Sequence, residues 1–270
     1  MSDVESATAL PSPRLLGDIQ MRDFLVQGYH LTDSELPAKY HADVCAHLES
    51  LFQRRGNPGN EVLEEVPDLE RVWNAPTVTG ALTSILGPDY TMHPHRHCHA
   101  SPPGMRGQQW HQDDVNKRHH QVWRLLAMYY PQDVTLEMGP TQIVPGTQFR
   151  NTPTSRMAAY GSIKTQVSLT VPAGTVAITH YDIWHRATHN RSEKTRYMLK
   201  FLFDRSSPPD RPAWNAGSTT GEELLESFNR IWLPIDSQTD AYKHRVIWMN
   251  CWKWWHGTPP QESCIVDHFP

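Results

Sequence analysis

Residues 109–114 read Gln-Trp-His-Gln-Asp-Asp, and residues 174–185 read Gly-Thr-Val-Ala-Ile-Thr-His-Tyr-Asp-Ile-Trp-His. On an extended backbone alternate side chains lie on one side, so we expect His111 and Asp113 to face the same point. The second segment is a buried strand with a polar end, and in a jelly roll it can return beside the first. The two segments therefore predict that His111, Asp113 and His185 hold one metal ion.

The predicted site has the ligand set of a non-haem iron centre. Two imidazoles and one carboxylate on one face leave the remaining coordination positions open, as in Fe(II) oxygenases. A structural zinc site is closed by four protein ligands, usually with thiolates, and no cysteine here has CxxC spacing. His180 and His189 are alternative third ligands, although the spacing to Arg196 favours His185.

Arg196 lies eleven positions after His185, on a strand predicted to pair with residues 175–180. An inward guanidinium can hold a carboxylate through two parallel hydrogen bonds, which lysine does less well. A diacid anchored there can chelate the metal from its other end. Each element is common alone, but the order and spacing together favour a metal-dependent oxygenase.

Short segments of alternating residues, separated by Gly/Pro turns, fill the middle of the chain. The predicted strands are 91–100, 122–130, 142–144, 164–171, 175–180 and 195–204, and the predicted helices are 34–52, 77–86 and 240–255. This order predicts a mainly β fold with flanking helices, a double-stranded β-helix or jelly roll of the cupin-like kind. We expect a flexible arm at residues 1–16, a single domain over 17–270 and a long surface loop at 206–221.

Composition disfavours several classes of function. The 270 residues carry a net charge of -4, with a pI near 6.5 and no basic stripe, so nucleic acid is not an expected partner. No apolar run is long enough to cross a membrane, and the N-terminus lacks the apolar core of a signal peptide. Four scattered cysteines suit a reducing compartment. We therefore expect a cytoplasmic protein that acts on a small molecule; its oligomeric state is open.

These residues resemble the motifs of the phytanoyl-CoA dioxygenase family of iron(II)- and 2-oxoglutarate-dependent oxygenases. His111-Gln-Asp113 looks like the family's metal motif, and residues 137–148 are similar to its Asn-Gly…Pro-Gly-Ser-His segment. Residues 185–196 are similar to the family's distal metal histidine, Asn-x-Ser turn and oxoglutarate arginine. Residues 24–29 resemble its opening strand. The resemblance covers most of the predicted domain.

The resemblance implies the cofactors and the reaction. Fe(II) is expected at the three ligands, with 2-oxoglutarate anchored by Arg196 and dioxygen as the other co-substrate. Decarboxylation of 2-oxoglutarate would accompany oxidation of an unactivated C–H bond. Hydroxylation is the expected outcome, with desaturation or oxidative cyclisation as alternatives, and halogenation is disfavoured because Asp113 supplies the carboxylate. The resemblance also places Tyr129 and Gln109 against 2-oxoglutarate, although a core position suits Tyr129 equally well.

Two departures from the family pattern concern residues around the metal ligands. Gln148 stands where the family usually has His, and Ala187 stands where Ser or Thr often follows the distal histidine. Neither is a predicted metal ligand, so these departures concern the residues that support the ligands.

Substrate contacts are predicted on one strand and one loop. His93, His95, His97 and His99 alternate, so they share a face that is expected to line the site's mouth, with His97 and His99 nearest the metal motif. A second metal site on these histidines is an alternative. Trp214, from the long loop, is expected to border the entrance.

The leading hypothesis is an oxygenase acting on a small molecule, as in the tailoring of a secondary metabolite. One alternative is a cupin-like metal enzyme that does not use 2-oxoglutarate, in which Arg196 would not contact a diacid. Another is a non-catalytic jelly-roll binding protein, which the intact set of three ligands disfavours.

Overall fold

The computed structural model describes residues 11–114, 121–150, 154–217 and 221–259. The helices are α1 (Asp18–Gln27), α2 (Ala38–Arg55), α3 (Val62–Glu65), α4 (Leu69–Trp73), α5 (Pro76–Leu86), α6 (Thr154–Met157), α7 (Gly221–Asn229) and α8 (Gln238–Trp255), with a 3-10 turn at Gly59–Glu61. The strands are β1 (Tyr29–Asp33), β2 (Thr91–Ser101), β3 (Arg124–Tyr129), β4 (Thr141–Val144), β5 (Val167–Ser168), β6 (Thr175–His180), β7 (Trp184–Ala187) and β8 (Arg196–Asp204). Among these residues no helix is both long enough and apolar enough to traverse a bilayer.

Two antiparallel sheets form the fold. The larger has the strand order β1-β6-β3-β8-β2, and the smaller has the order β5-β4-β7. Each ladder within them is antiparallel. The predicted mainly β jelly roll with flanking helices is confirmed.

Strand β8 divides its side chains between two cores. Tyr197, Leu199, Phe201 and Phe203 belong to the core that the large sheet shares with the helices, where Trp73 packs on Phe201 with ring centroids 4.4 Å apart. The alternate residues Met198 and Leu202 belong to a second core, which includes Ile143 of the small sheet. Because the pleat has a period of two, Arg196 shares this second face.

Three predicted elements differ most from the observed ones. The predicted opening strand at 24–29 is wrong, because Phe24, Leu25 and Val26 are buried in helix α1 and the strand starts at Tyr29. Gly28, with φ 80, ends that helix in the left-handed conformation that glycine adopts without strain. The predicted helix 34–52 starts later, at Ala38, and the predicted strand 164–171 contracts to Val167–Ser168. Strand β7 was not predicted as an element of its own.

The segment before α1 packs on α5. The backbone N–H of Arg14 donates to Pro76 O (2.8 Å), and that of Leu16 donates to Ser84 Oγ (2.9 Å). A Cβ at Gly80 would collide with the backbone of Arg14. Residues 1–10 of the predicted arm lie outside the described residues, so the domain boundary stays a prediction.

The turn before β8 is fixed by Asn190. Its buried amide Nδ2 donates to Ser101 O (2.7 Å) and to Lys194 O (2.8 Å), while its Oδ1 accepts from Ser192 N (3.0 Å). One side chain thus ties the end of β2 to the turn that leads into β8. This turn sets the position of Arg196, the first residue of β8.

Replacement of Asn190 by alanine is expected to lower the free energy of unfolding by about 2 kcal/mol or more, since each buried polar group left without a partner costs about 1–3 kcal/mol. Urea unfolding of the metal-free protein measures it. Glu193→Ala, at an exposed position in the same turn, is the matched control and should change stability by less than about 0.5 kcal/mol. Equal stability of the two variants would contradict the role given to Asn190.

Candidate metal centre

The backbone brings the two histidine segments side by side. His111 and His185 form an antiparallel bridge, in which His111 N donates to His185 O (3.1 Å) and His185 N donates to His111 O (3.0 Å). Their imidazole rings lie 4.3 Å apart between centroids. The bridge adds residue 111 to the small sheet, next to β7.

Backbone carbonyls orient both imidazoles. His111 Nδ1 lies 2.8 Å from Gln109 O, and His185 Nδ1 lies 2.9 Å from Ile183 O. A carbonyl oxygen only accepts, so each Nδ1 carries the proton and each Nε2 presents a lone pair. Metal binding through Nε2 needs this tautomer.

Asp113 completes the cluster. Its Oδ1 lies 4.0 Å from His111 Nε2, and its Oδ2 lies 3.8 Å from His185 Nε2. Among the described residues these three form the one group of three or more metal-binding side chains whose donor atoms lie close enough for one ion. Burial alone would raise the pKa of Asp113, but the neighbouring His185 and Lys200 outweigh it and the pKa is lowered.

The donor set fits a divalent metal. Burial lowers the pKa of His185 to about 4, so its ring is neutral near pH 7. A neutral His185 and an ionised Asp113 offer the states that a metal requires. Two nitrogens and one carboxylate, with no thiolate, are the set found in Fe(II) oxygenases.

Arg196 has unused hydrogen-bond donors. The side chain is 1% exposed, and its Nη2 donates to Ser101 Oγ (3.0 Å). Within the described part of the chain its buried Nε and Nη1 have no partner. Burial lowers the pKa of Arg196, yet a guanidinium remains charged at neutral pH. A charged group with two free donors fits a carboxylate.

One cavity is lined both by His111, Asp113 and His185, here called the metal cluster, and by Arg196. It has a volume of about 170 Å³, and its walls include the apolar Leu126, Met128 and Met198. Its polar lining includes Gln108 and Lys200 as well as the three cluster residues. A small diacid therefore has space between the cluster and the guanidinium.

The residues predicted to contact 2-oxoglutarate need correction. Tyr129 faces the helices, where its hydroxyl bonds to His41 Nδ1 (2.7 Å), and so the core alternative describes its position. The sheet separates its ring from the cavity. The side chain of Gln109 is exposed and does not line the cavity; its backbone carbonyl orients His111, and the neighbouring Gln108 lines the cavity instead.

The predicted substrate residues separate into two places. His99 lines the cavity, and its Nε2 lies 2.7 Å from that of His97 on the same face of β2. Trp214 is buried among Trp252 and Trp255, and its Nε1 donates to Asp18 (2.7 Å). It borders a different cavity, of about 540 Å³, so its predicted place at the metal site's entrance is wrong.

Neither alternative ligand belongs to the candidate metal site, and the two departures from the family pattern lie in different places. His180 is buried, His189 is exposed, and neither belongs to the cluster. Gln148 donates to Leu25 O (2.8 Å) and so holds helix α1. Ala187 lines the cavity, and its backbone N–H donates to Gln108 Oε1 (3.2 Å).

Lys200 is a charged residue of the cavity that the sequence analysis did not single out. Its Nζ donates to Asp113 Oδ2 (2.6 Å), and it lines the cavity. The available signal was its spacing, since it follows Arg196 by four positions on a strand. Residues four apart on a strand share a face.

Comparison with known proteins agrees with this geometry. The model of the phytanoyl-CoA dioxygenase family matches residues 41–198, more than half of the chain. The non-heme alpha-ketoglutarate-dependent carbocyclase SnoK from nogalamycin biosynthesis is similar in structure, with a TM-score of 0.60 and 16% identity over 84% of this chain and 98% of that chain. The epimerase SnoN from the same biosynthesis gives 0.57 and 15% over 70% and 83%. HygX from Streptomyces hygroscopicus, with nickel and 2-oxoglutarate bound, gives 0.58 and 16% over 71% and 87%. At these identities the likeness is one of fold, and no curated protein sequence matches the chain.

Proposed function

Because this chain belongs to the phytanoyl-CoA dioxygenase family of iron(II)- and 2-oxoglutarate-dependent oxygenases, we propose that it oxidises a small molecule at the cavity beside His111, Asp113 and His185. These three residues would hold Fe(II), and Arg196 would hold the far carboxylate of 2-oxoglutarate. One observation supports this most: a three-residue donor cluster and a buried guanidinium with free donors border the same cavity.

When bound, iron(II) with 2-oxoglutarate and dioxygen would supply an oxidant for an unactivated C–H bond. The protein's contribution is orientation and exclusion of water. Gln109 O and Ile183 O fix the imidazoles, so that both Nε2 atoms face Asp113. Leu126, Met128 and Met198 keep the walls apolar, which favours reaction of the substrate over reaction with solvent.

Hydroxylation of a small molecule in the tailoring of a secondary metabolite is the proposed outcome. Support for the tailoring role comes from SnoK and SnoN, a carbocyclase and an epimerase from nogalamycin biosynthesis that share this fold, whereas hydroxylation is proposed as the family's usual outcome, with oxidative cyclisation as the alternative. The small cavity favours a substrate that enters only in part. The two alternatives without 2-oxoglutarate leave the free donors of Arg196 unexplained.

The test uses anaerobic absorption spectra of metal-free protein as Fe(II) and then 2-oxoglutarate are added. A weak visible charge-transfer band that requires both additions is expected, since a 2-oxo acid chelated to Fe(II) absorbs there. Admission of dioxygen should bleach the band and release succinate. Bound iron without such a band would contradict the use of 2-oxoglutarate and favour the cupin-like alternative.

A further inference from the structure

Lys200 stands in the cavity next to the metal cluster. It follows Arg196 on the same face of β8, and its Nζ donates to Asp113 Oδ2 at 2.6 Å. The two side chains are 12% and 14% exposed, so this ion pair is largely buried. Within the described part of the chain, Asp113 is the one acceptor that Lys200 has, although an ammonium has three donors.

A metal ion would change the charge balance at Lys200. A buried ammonium needs a counter-charge, and at present Asp113 supplies it. When Asp113 binds a divalent cation, its negative charge is shared with that ion. Lys200 is then a buried cation beside another cation, which favours the arrival of a new anion at that place.

The histidines opposite Lys200 carry no charge that could replace that of Asp113. His97 faces Lys200 across the β2–β8 ladder, and His99 is the next residue on that face. Burial, more than the charge of Lys200, lowers the pKa of His97 to about 4 and that of His99 to about 3. Both rings are therefore neutral near pH 7, and their Nε2 atoms bond to each other.

We propose that Lys200 is a second cationic contact for 2-oxoglutarate: it binds the carboxylate at the 2-oxo end, while Arg196 binds the far carboxylate. This inference rests on the proposed function. Residues four apart on a strand have Cα atoms about 13 Å apart, a gap that two long side chains and a five-carbon diacid between them can close. Two cations on one face thus match a dianion, and the metal cluster lies beside the second cation.

Two probes separate the ends of the diacid. 2-Oxoglutarate has both carboxylates, whereas 2-oxopentanoate has the same carbon chain and lacks the far one. The measured quantity is the Kd of each probe for the Fe(II)-loaded protein, from its charge-transfer band under anaerobic conditions. Lys200→Met should raise both Kd values by about 10–100-fold, as expected for one charge-assisted hydrogen bond. Arg196→Met should raise the Kd of 2-oxoglutarate alone.

Further variants distinguish charge from structure. Lys200→Gln, which can still donate to Asp113, should lose as much affinity as Lys200→Met, and Lys200→Arg should recover most of it. Lys39→Met, which removes an exposed lysine, is the control and should match the native chain. The Gln and Arg variants decide the question if Lys200→Met does not fold.

Two outcomes would overturn the inference. Native binding of both probes by Lys200→Gln, or loss of Fe(II) affinity with no separate loss of probe affinity, would reduce Lys200 to a residue that positions Asp113. Either result would leave the proposed function intact, provided that Arg196→Met still raised the Kd of 2-oxoglutarate. Absence of the band in the native protein would instead refute the proposed function itself.

Discussion

A variant with alanine in place of His185 is expected to bind Fe(II) more than about 100-fold more weakly than the native chain and to release no succinate. Loss of a partner that merely orients a metal ligand costs about 10–100-fold in affinity, and here the ligand itself is removed. His111 and Asp113 would remain, two residues apart on one segment and without a donor from β7. Titration of the metal-free protein with Fe(II), under argon in a calorimeter, measures the loss.

His189→Ala is the matched control for this experiment. His189 follows His185 by four positions and is exposed, so its removal should leave both metal affinity and succinate release unchanged. The bridge between residues 111 and 185 uses backbone atoms only, and therefore His185→Ala should still fold, as a thermal melt will show. Native metal affinity in His185→Ala would mean that the third ligand is a different residue.

Short-range geometry explains why the sequence could predict that His111, Asp113 and His185 lie close together. The alternation of a strand places His111 and Asp113 on one side regardless of the rest of the fold. The partner segment was predictable because His185 and Arg196 keep a spacing that resembles a known family. Both inferences need only local backbone geometry and the order of the motifs.

Which residues of β3 point toward the cavity was harder to predict, because both faces of that strand are buried. Leu125, Leu126, Ala127, Met128 and Tyr129 are all apolar or aromatic and all buried, so no polar alternation shows which face meets the cavity. Of the two interpretations of Tyr129, the one that placed it against 2-oxoglutarate was therefore out by one residue: Met128 lines the cavity, and Tyr129 faces the helices. A shift of one residue moves a side chain to the other face.

Contacts between distant elements explain the other errors. Phe24, Leu25 and Val26 are consecutive and apolar, which is typical of a strand, yet helix α1 buries all three. From the sequence, Trp214 can lie either in the core or at the surface. Its packing on α8 places it in the core. Tertiary burial overrides local propensity in both cases.

Arg196→Gln is expected to raise the Kd of 2-oxoglutarate for the Fe(II)-loaded protein by about 100-fold or more. Hydrogen bonds to a charged group contribute about 1.5–3 kcal/mol each, and two are lost. The native guanidinium has a buried Nη1 with no partner in the described residues, and its Nη2 has a second N–H besides the one that Ser101 accepts, so a carboxylate can bind the Nη1/Nη2 edge without breaking an existing bond. Arg196→Lys, which keeps the charge and loses the planar fork, should fall between the two. Titration of the charge-transfer band with 2-oxoglutarate measures each Kd.

Stability measurements distinguish this role from a structural one. A buried cation without a counter-charge costs stability. In the absence of ligand, the free energy of unfolding of Arg196→Gln should therefore be higher than that of the native chain, or lower by no more than about 1 kcal/mol. At a 2-oxoglutarate concentration above the native Kd and well below that of the variant, the ligand should raise the Tm of the native Fe(II)-loaded protein and leave that of the variant nearly unchanged, because stabilisation depends on the ratio of ligand concentration to Kd. Arg191→Gln, at an exposed position five residues earlier, should respond like the native chain. If Arg196→Gln were much less stable than the native chain and still bound 2-oxoglutarate with native affinity, Arg196 would be a structural residue. A different residue of the cavity would then have to bind the far carboxylate.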